Sequence, residues 1–185
     1  EVATGTLTAL AGSTTNLTGN LNMSAGAING NSAAFNITGN YSQSGGTFNG
    51  NTSTFGVTGS FSESGGTFNN TSNTFTVGAG STLSATGIFN GAGTFAVTGN
   101  HLQSGGTYNG GGTFTLTGTG NFTQSGGTFT GNSVTVNLLG NFSYTGGTFT
   151  AGTSTFNFNG SAAQSVSNSA LITFNNLSDA NVTQP

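Results

Sequence analysis

The sequence predicts an all-β chain wound as a parallel β-solenoid, a β-helix of about eight coils with about 20 residues in each. Three observations carry this expectation. One block recurs at nearly constant spacing, apolar and polar residues alternate with period two inside it, and corners rich in Gly and Asn separate the alternating runs.

The block reads Gly39-Asn40-Tyr41-Ser42-Gln43-Ser44-Gly45-Gly46-Thr47-Phe48-Asn49-Gly50 and returns as Gly59-Ser60-Phe61-Ser62-Glu63-Ser64-Gly65-Gly66-Thr67-Phe68-Asn69-Asn70. Further copies start at Gly99, Gly120 and Gly140, and degenerate ones at Gly19 and Gly80. The frame residues Gly19, Gly39, Gly59, Gly80, Gly99, Gly120, Gly140 and Gly160 lie 19 to 21 residues apart. That constancy leaves little room for variable loops, so each copy traces one circuit of the same path.

Within a circuit, Thr52-Ser53-Thr54-Phe55-Gly56-Val57-Thr58 and Gly112-Thr113-Phe114-Thr115-Leu116-Thr117 alternate as half-buried strands do. Gly-Gly, Asn-Gly and Gly-Asn pairs between such runs supply tight corners. No stretch combines helical periodicity with capping signals. Antiparallel hairpins would set equivalent residues two strands apart, whereas a solenoid places each over its counterpart at roughly 4.8 Å.

The sequence favours the solenoid, because like residues recur at single positions. One ladder reads Ile28, Phe48, Phe68, Phe89, Tyr108, Phe129 and Phe149. A second reads Phe35, Phe55, Phe75, Phe95, Phe114, Val134 and Phe156, and a third Ile37, Val57, Val77, Val97, Leu116, Val136 and Phe158. Asn29, Asn49, Asn69, Asn90 and Asn109 form a candidate amide ladder of the type that stabilises cross-β stacks. Right-handed winding is expected. The whole chain reads as one solenoid domain, with an N-terminal end coil at 1–18, regular repeats at 19–160 and a C-terminal end coil at 161–185.

The repeat, with its Gly-Asn-Phe-x-x-Ser-Gly-Gly-Thr-Phe motif and its close at Phe156-Asn157-Phe158-Asn159-Gly160-Ser161, resembles the Gly/Thr/Asn-rich β-strand repeats of bacterial and archaeal surface proteins. More loosely, it is similar to autotransporter passengers and filamentous-haemagglutinin-type adhesins. The resemblance implies an extracellular, solenoidal scaffold that is not an enzyme, and names no ligand.

Gly, Thr, Asn and Ser make up about three-fifths of the chain, well above ordinary usage. Disorder is a poor reading, because Phe recurs in register and the net charge is only -3. There is no Lys and no Arg, which excludes phosphate neutralisation and with it nucleic-acid binding and polybasic attraction to anionic lipid. No apolar run is long enough for a membrane span. Cysteine is absent, so stability rests on packing and hydrogen bonds. A start at Glu1 without Met fits a mature secreted product or a fragment equally, and the missing trypsin sites suit life outside a cell or simply follow from the biased composition.

Residues with useful pKa values are few: Glu1, Glu63, Asp179 and His101. Glu63 and His101 lie two coils apart, at least roughly 10 Å, beyond a direct hydrogen bond. No paired carboxylates and no ligand cluster occur, so neither catalysis, cofactor nor metal is expected. His101 aligns with Tyr41, Phe61 and Phe122 as a ladder member, and Glu63 aligns with Gln43, Gln103 and Gln124 as an exposed polar substitution. Sequons such as those at Asn36, Asn40, Asn51, Asn121 and Asn141 follow from the composition. An ice-binding Thr array would need to recur in every coil, and the outward position two before Thr38, Thr58, Thr98 and Thr117 varies among Asn36, Gly56, Ala96 and Thr115.

A solenoid end offers unpaired backbone and open ladders unless capped. No cap is evident here, and both terminal segments read as strand-like: Glu1 to Leu10, and Ala170 to Leu177 followed by Val182. The leading expectation is therefore a structural subunit that stacks on itself head to tail as an extracellular filament or sheath. Its interface residues would be Val2, Leu7 and Leu10 at one end and Leu171, Ile172, Phe174, Leu177 and Val182 at the other. The alternative is a stalk or passenger segment of a cell-surface adhesin, with glycans or other cells as partners.

Overall fold

A computed structural model describes residues 4–31, 34–50, 54–70 and 74–180. All regular structure in them is β-strand, and strands of successive coils pair in parallel. The predicted solenoid is present, with about eight turns of about 20 residues.

Each coil contributes to three walls. The first wall stacks Leu21–Met23, Tyr41–Gln43, Phe61–Glu63, Ser81–Leu83, the opening halves of His101–Gly110 and Phe122–Thr130, Phe142–Tyr144 and Val166–Asn168. The second stacks Thr6–Thr8, Ala27–Asn29, Thr47–Asn49, Thr67–Asn70, Ile88–Gly91, the closing halves of the same two long strands, and Thr148–Thr150. Those long strands run through the bend and join both walls into one 14-stranded sheet. The third wall is a separate 9-stranded sheet from Thr14–Leu17 to Asn176–Asp179.

The corners follow from residue chemistry. Between the first and second walls the Ser-Gly-Gly turn needs glycine twice over. Gly46 sits at φ 72°, and a Cβ there would stand 2.5 Å from the Gly26 carbonyl one coil away. Between the third and first walls, each corner Asn side chain accepts the backbone N–H of the next coil. Asn20 Oδ1 accepts from Asn40 N at 2.8 Å and Asn121 Oδ1 from Asn141 N at 2.7 Å.

Inward-facing residues stack as the sequence predicts. Phe48, Phe68, Phe89, Tyr108, Phe129 and Phe149 form a column whose successive rings lie 4.7–5.4 Å apart and within 9° of parallel. Phe55, Phe75, Phe95 and Phe114 stack at 4.9 Å beside it, with Val57, Val77 and Val97 buried two positions on. Burying one such ring stabilises the fold by about 1.5–3 kcal/mol. Outward, the amide ladder is continuous: each Asn from Asn49 to Asn109 donates Nδ2–H to Oδ1 of the one before, at 2.8–2.9 Å.

One register differs from expectation. Val136, not Val134, pairs with Phe114, and Leu138, not Val136, pairs with Leu116. The run Val134-Thr135-Val136-Asn137-Leu138 alternates throughout, so a slip of two keeps the same side chains inward and leaves no trace in the pattern. Corner length decides the register. Val134 is spent in the turn, buried, with its N–H on the Gly131 carbonyl at 2.7 Å.

Candidate functional site

Two regions carry polar or unpaired groups that the repeat does not explain: the ends of the stack and a buried polar column in the first wall.

At the N-terminal end, Thr6–Thr8 is the outermost strand of the second wall and, among the described residues, pairs with Ala27–Asn29 alone. Its inward residue Leu7 lies over Ile28 and is 41% exposed. Leu10, in the following turn, is 77% exposed. Thr14–Leu17 opens the third wall, with Leu17 packed against the core. Within the predicted strand Glu1 to Leu10, regular pairing among the described residues covers only Thr6–Thr8.

At the C-terminal end the walls stop unevenly. The second wall ends at Thr148–Thr150, which pairs with Phe122–Thr130 alone among the described residues. The first and third continue one layer further, as Val166–Asn168 and Asn176–Asp179. Residues 169–175 cross the end between them without strand structure. This corrects the expectation of a strand from Ala170: only Asn176 and Leu177 of that stretch are in one.

A side chain of this crossing segment also covers part of the core at this end. Phe174 is half-buried, its ring 5.4 Å from Phe142, 5.6 Å from Phe149 and 5.0 Å from Phe156, edge-on to each. Inside the stack, Phe68 touches the matching trio Tyr41, Phe48 and Phe55 of the coil before it at 5.8, 4.7 and 5.5 Å. Phe174 therefore fills the place of the next ring without a next strand behind it. Ile172 packs beside it, while Leu171 and Leu177 stay exposed. Phe149 is only partly buried under this cover. Val2 and Val182 lie outside the described residues.

The polar column runs Met23, Gln43, Glu63, Leu83, Gln103, Gln124 and Tyr144. Gln43 Nε2 donates to the carbonyls of Gly46 and Thr67, both at 3.1 Å, and its Oε1 accepts the Tyr41 hydroxyl at 2.7 Å. Gln103 and Gln124 likewise donate to the carbonyls of Thr128 and Thr148. Glu63 is fully buried here, not exposed as expected. The signal lay in its apolar column mates Met23, Leu83 and Tyr144, which mark an inward position.

Burial pushes the Glu63 carboxyl up to about 8, and neither of its buried oxygens has a hydrogen-bond partner among the described residues. Burial also raises the Tyr41 hydroxyl well above its usual value, with the nearby Glu63 carboxylate adding to the shift. His101 stands in the aromatic column, as its alignment predicts, between Ser81 and Phe122. Its Nδ1 lies 2.8 Å from Ser81 Oγ, and burial lowers the imidazole to about 3. Among the described residues, no group of three His, Cys, Asp or Glu converges on a point that would hold a metal.

No known protein family, curated protein or solved structure matches this chain.

Proposed function

We propose that the chain is a structural subunit of an extracellular filament or sheath, assembling head to tail through the ends of its solenoid. The carrying observation is that, among the described residues, the second wall begins and ends on strands with an unpaired edge, Thr6–Thr8 and Thr148–Thr150, directed along the stack. Such edges template pairing with another chain. Because the two edges differ, the contact does not close on itself and extends as a fibre. A chain with a net charge of only -3 offers little repulsion to stacking. Its freedom from Lys and Arg supports the extracellular assignment, where trypsin-like proteases find nothing to cut. The partner is a second copy, and surface glycans or other cells are what a sheath would meet.

A second reading, a stalk or passenger segment of an adhesin, is favoured by the uneven ends, because flanking chain would supply the missing strands. Electron microscopy of the purified protein over a concentration series separates the two. Filaments with a repeat of roughly 4.8 Å along their axis are expected. Monodisperse particles at every concentration would sink the filament reading in favour of the stalk.

A further inference from the structure

We infer that residues 169–180 are a displaceable cap, and that the first coil of a second copy takes their place when the filament grows. The inference rests on the head-to-tail reading and specifies its joint.

With Thr6–Thr8 counted as the first layer, the second wall fills layers one to eight, the first wall two to nine and the third wall one to nine. A copy shifted by eight layers sets its Thr6–Thr8 directly on the edge of Thr148–Thr150 and its Leu21–Met23 on Val166–Asn168. Neither wall then has a gap or an overlap. The third wall has one strand too many, since the incoming Thr14–Leu17 and the resident Asn176–Asp179 claim the same layer. A shift of nine layers removes that conflict but leaves a strand missing from each of the other walls, with backbone groups unpaired.

Side chains favour the incoming strand. At the outward position the resident Ser178 follows Asn157. The incoming Asn16 would instead join the Asn157–Asn137 amide pair to its own partner Asn36, both linked at 2.9 Å. At the inward position beside Phe158 stands Asp179, where the second copy would bring Leu17. An inward-pointing charge on a terminal strand is a device that blocks an edge without building a good layer. Only beside Phe156 is the resident the better fit, Leu177 against the incoming Thr15. In the second wall, Leu7 would lie over Phe149 where Phe174 now sits edge-on, and Thr8 would continue the Thr130–Thr150 row.

The chain has no cysteine, so a single disulfide can pin the cap. Thr155 and Asn176 face each other across its joint, side chains 3.4 Å apart, and adjacent strands suit disulfide geometry. The Thr155→Cys/Asn176→Cys variant, oxidised, is expected to stay monomeric. Adding dithiothreitol should restore filament growth to the wild-type rate. Wild-type filaments should rise by eight layers per subunit, about 38 Å at roughly 4.8 Å each. Oxidised protein that grows filaments at the wild-type rate, or a nine-layer rise of about 43 Å, overturns the cap exchange while head-to-tail stacking stands. Wild-type protein that forms no filaments overturns both.

Discussion

Glu63 holds a carboxyl where three other coils hold an amide, and Gln43 shows what the position asks for: a donor to two carbonyls at the bend. A protonated carboxyl can donate; a carboxylate cannot. With a folded value of about 8 against an ordinary 4.5, native Glu63 keeps its proton where the unfolded chain loses it. Its contribution is therefore present below pH 4.5 and lost as pH rises through 8. His101 acts in the opposite sense. Lowered to about 3 from 6.5, it stays neutral in the fold while the unfolded chain takes up a proton, so stability falls as pH drops from 6.5 towards 3. Between 4.5 and 6.5 the two slopes oppose each other, which places the stability maximum there. Urea denaturation across pH should trace this profile. Glu63→Gln should flatten the alkaline limb, gaining on the order of 5 kcal/mol at pH 9 from linkage alone. An unchanged alkaline limb in that variant would refute the assignment.

At the scale of a strand, like residues in adjacent layers turn weak local preferences into columns. The Asn ladder shows how. Asn69 donates to Asn49 and accepts from Asn90, so Asn69→Ala breaks two hydrogen bonds at once. The expected loss is about 1–3 kcal/mol in equilibrium unfolding, and a change below a few tenths would show the amides to be independent. Most of this level was legible in the sequence, because recurrence at one position reports stacking directly: Phe48 over Phe68, Asn29 over Asn49. Where alternation continues through a corner, as around Val134 and Val136, the pattern carries no information about a slip of two. Glu63 was misplaced for a different reason. Charge alone points outward, whereas the apolar column mates Met23 and Leu83 point inward.

For the molecule as a whole, interchangeable layers mean that stability is close to a sum over coils and their neighbours. Removing 40–59 would join Gly39 to Ser60 and seat Leu21 against Phe61, Ile28 against Phe68 and Ile37 against Val77, preserving every column. The shortened chain should keep its β circular-dichroism spectrum, and its filaments should rise about 34 Å per subunit, one layer less. A loss of cooperative folding would show that the layers are not equivalent. The C-terminal end was the least legible part. Phe174 reaches its three neighbours from a segment with no strand of its own, so no periodicity announces it.

The hydrogen bonds that join one coil to the next all run along the solenoid axis. A pull on the stack therefore loads its layers in series, and a series of links is as strong as its softest member. In the aromatic column of the first wall the smallest member is Ser81, whose hydroxymethyl group stands between the rings of Phe61 and His101. Adding coils would lengthen such a fibre without toughening it, so its breaking load would be set by its weakest layer rather than by the number of its phenylalanines.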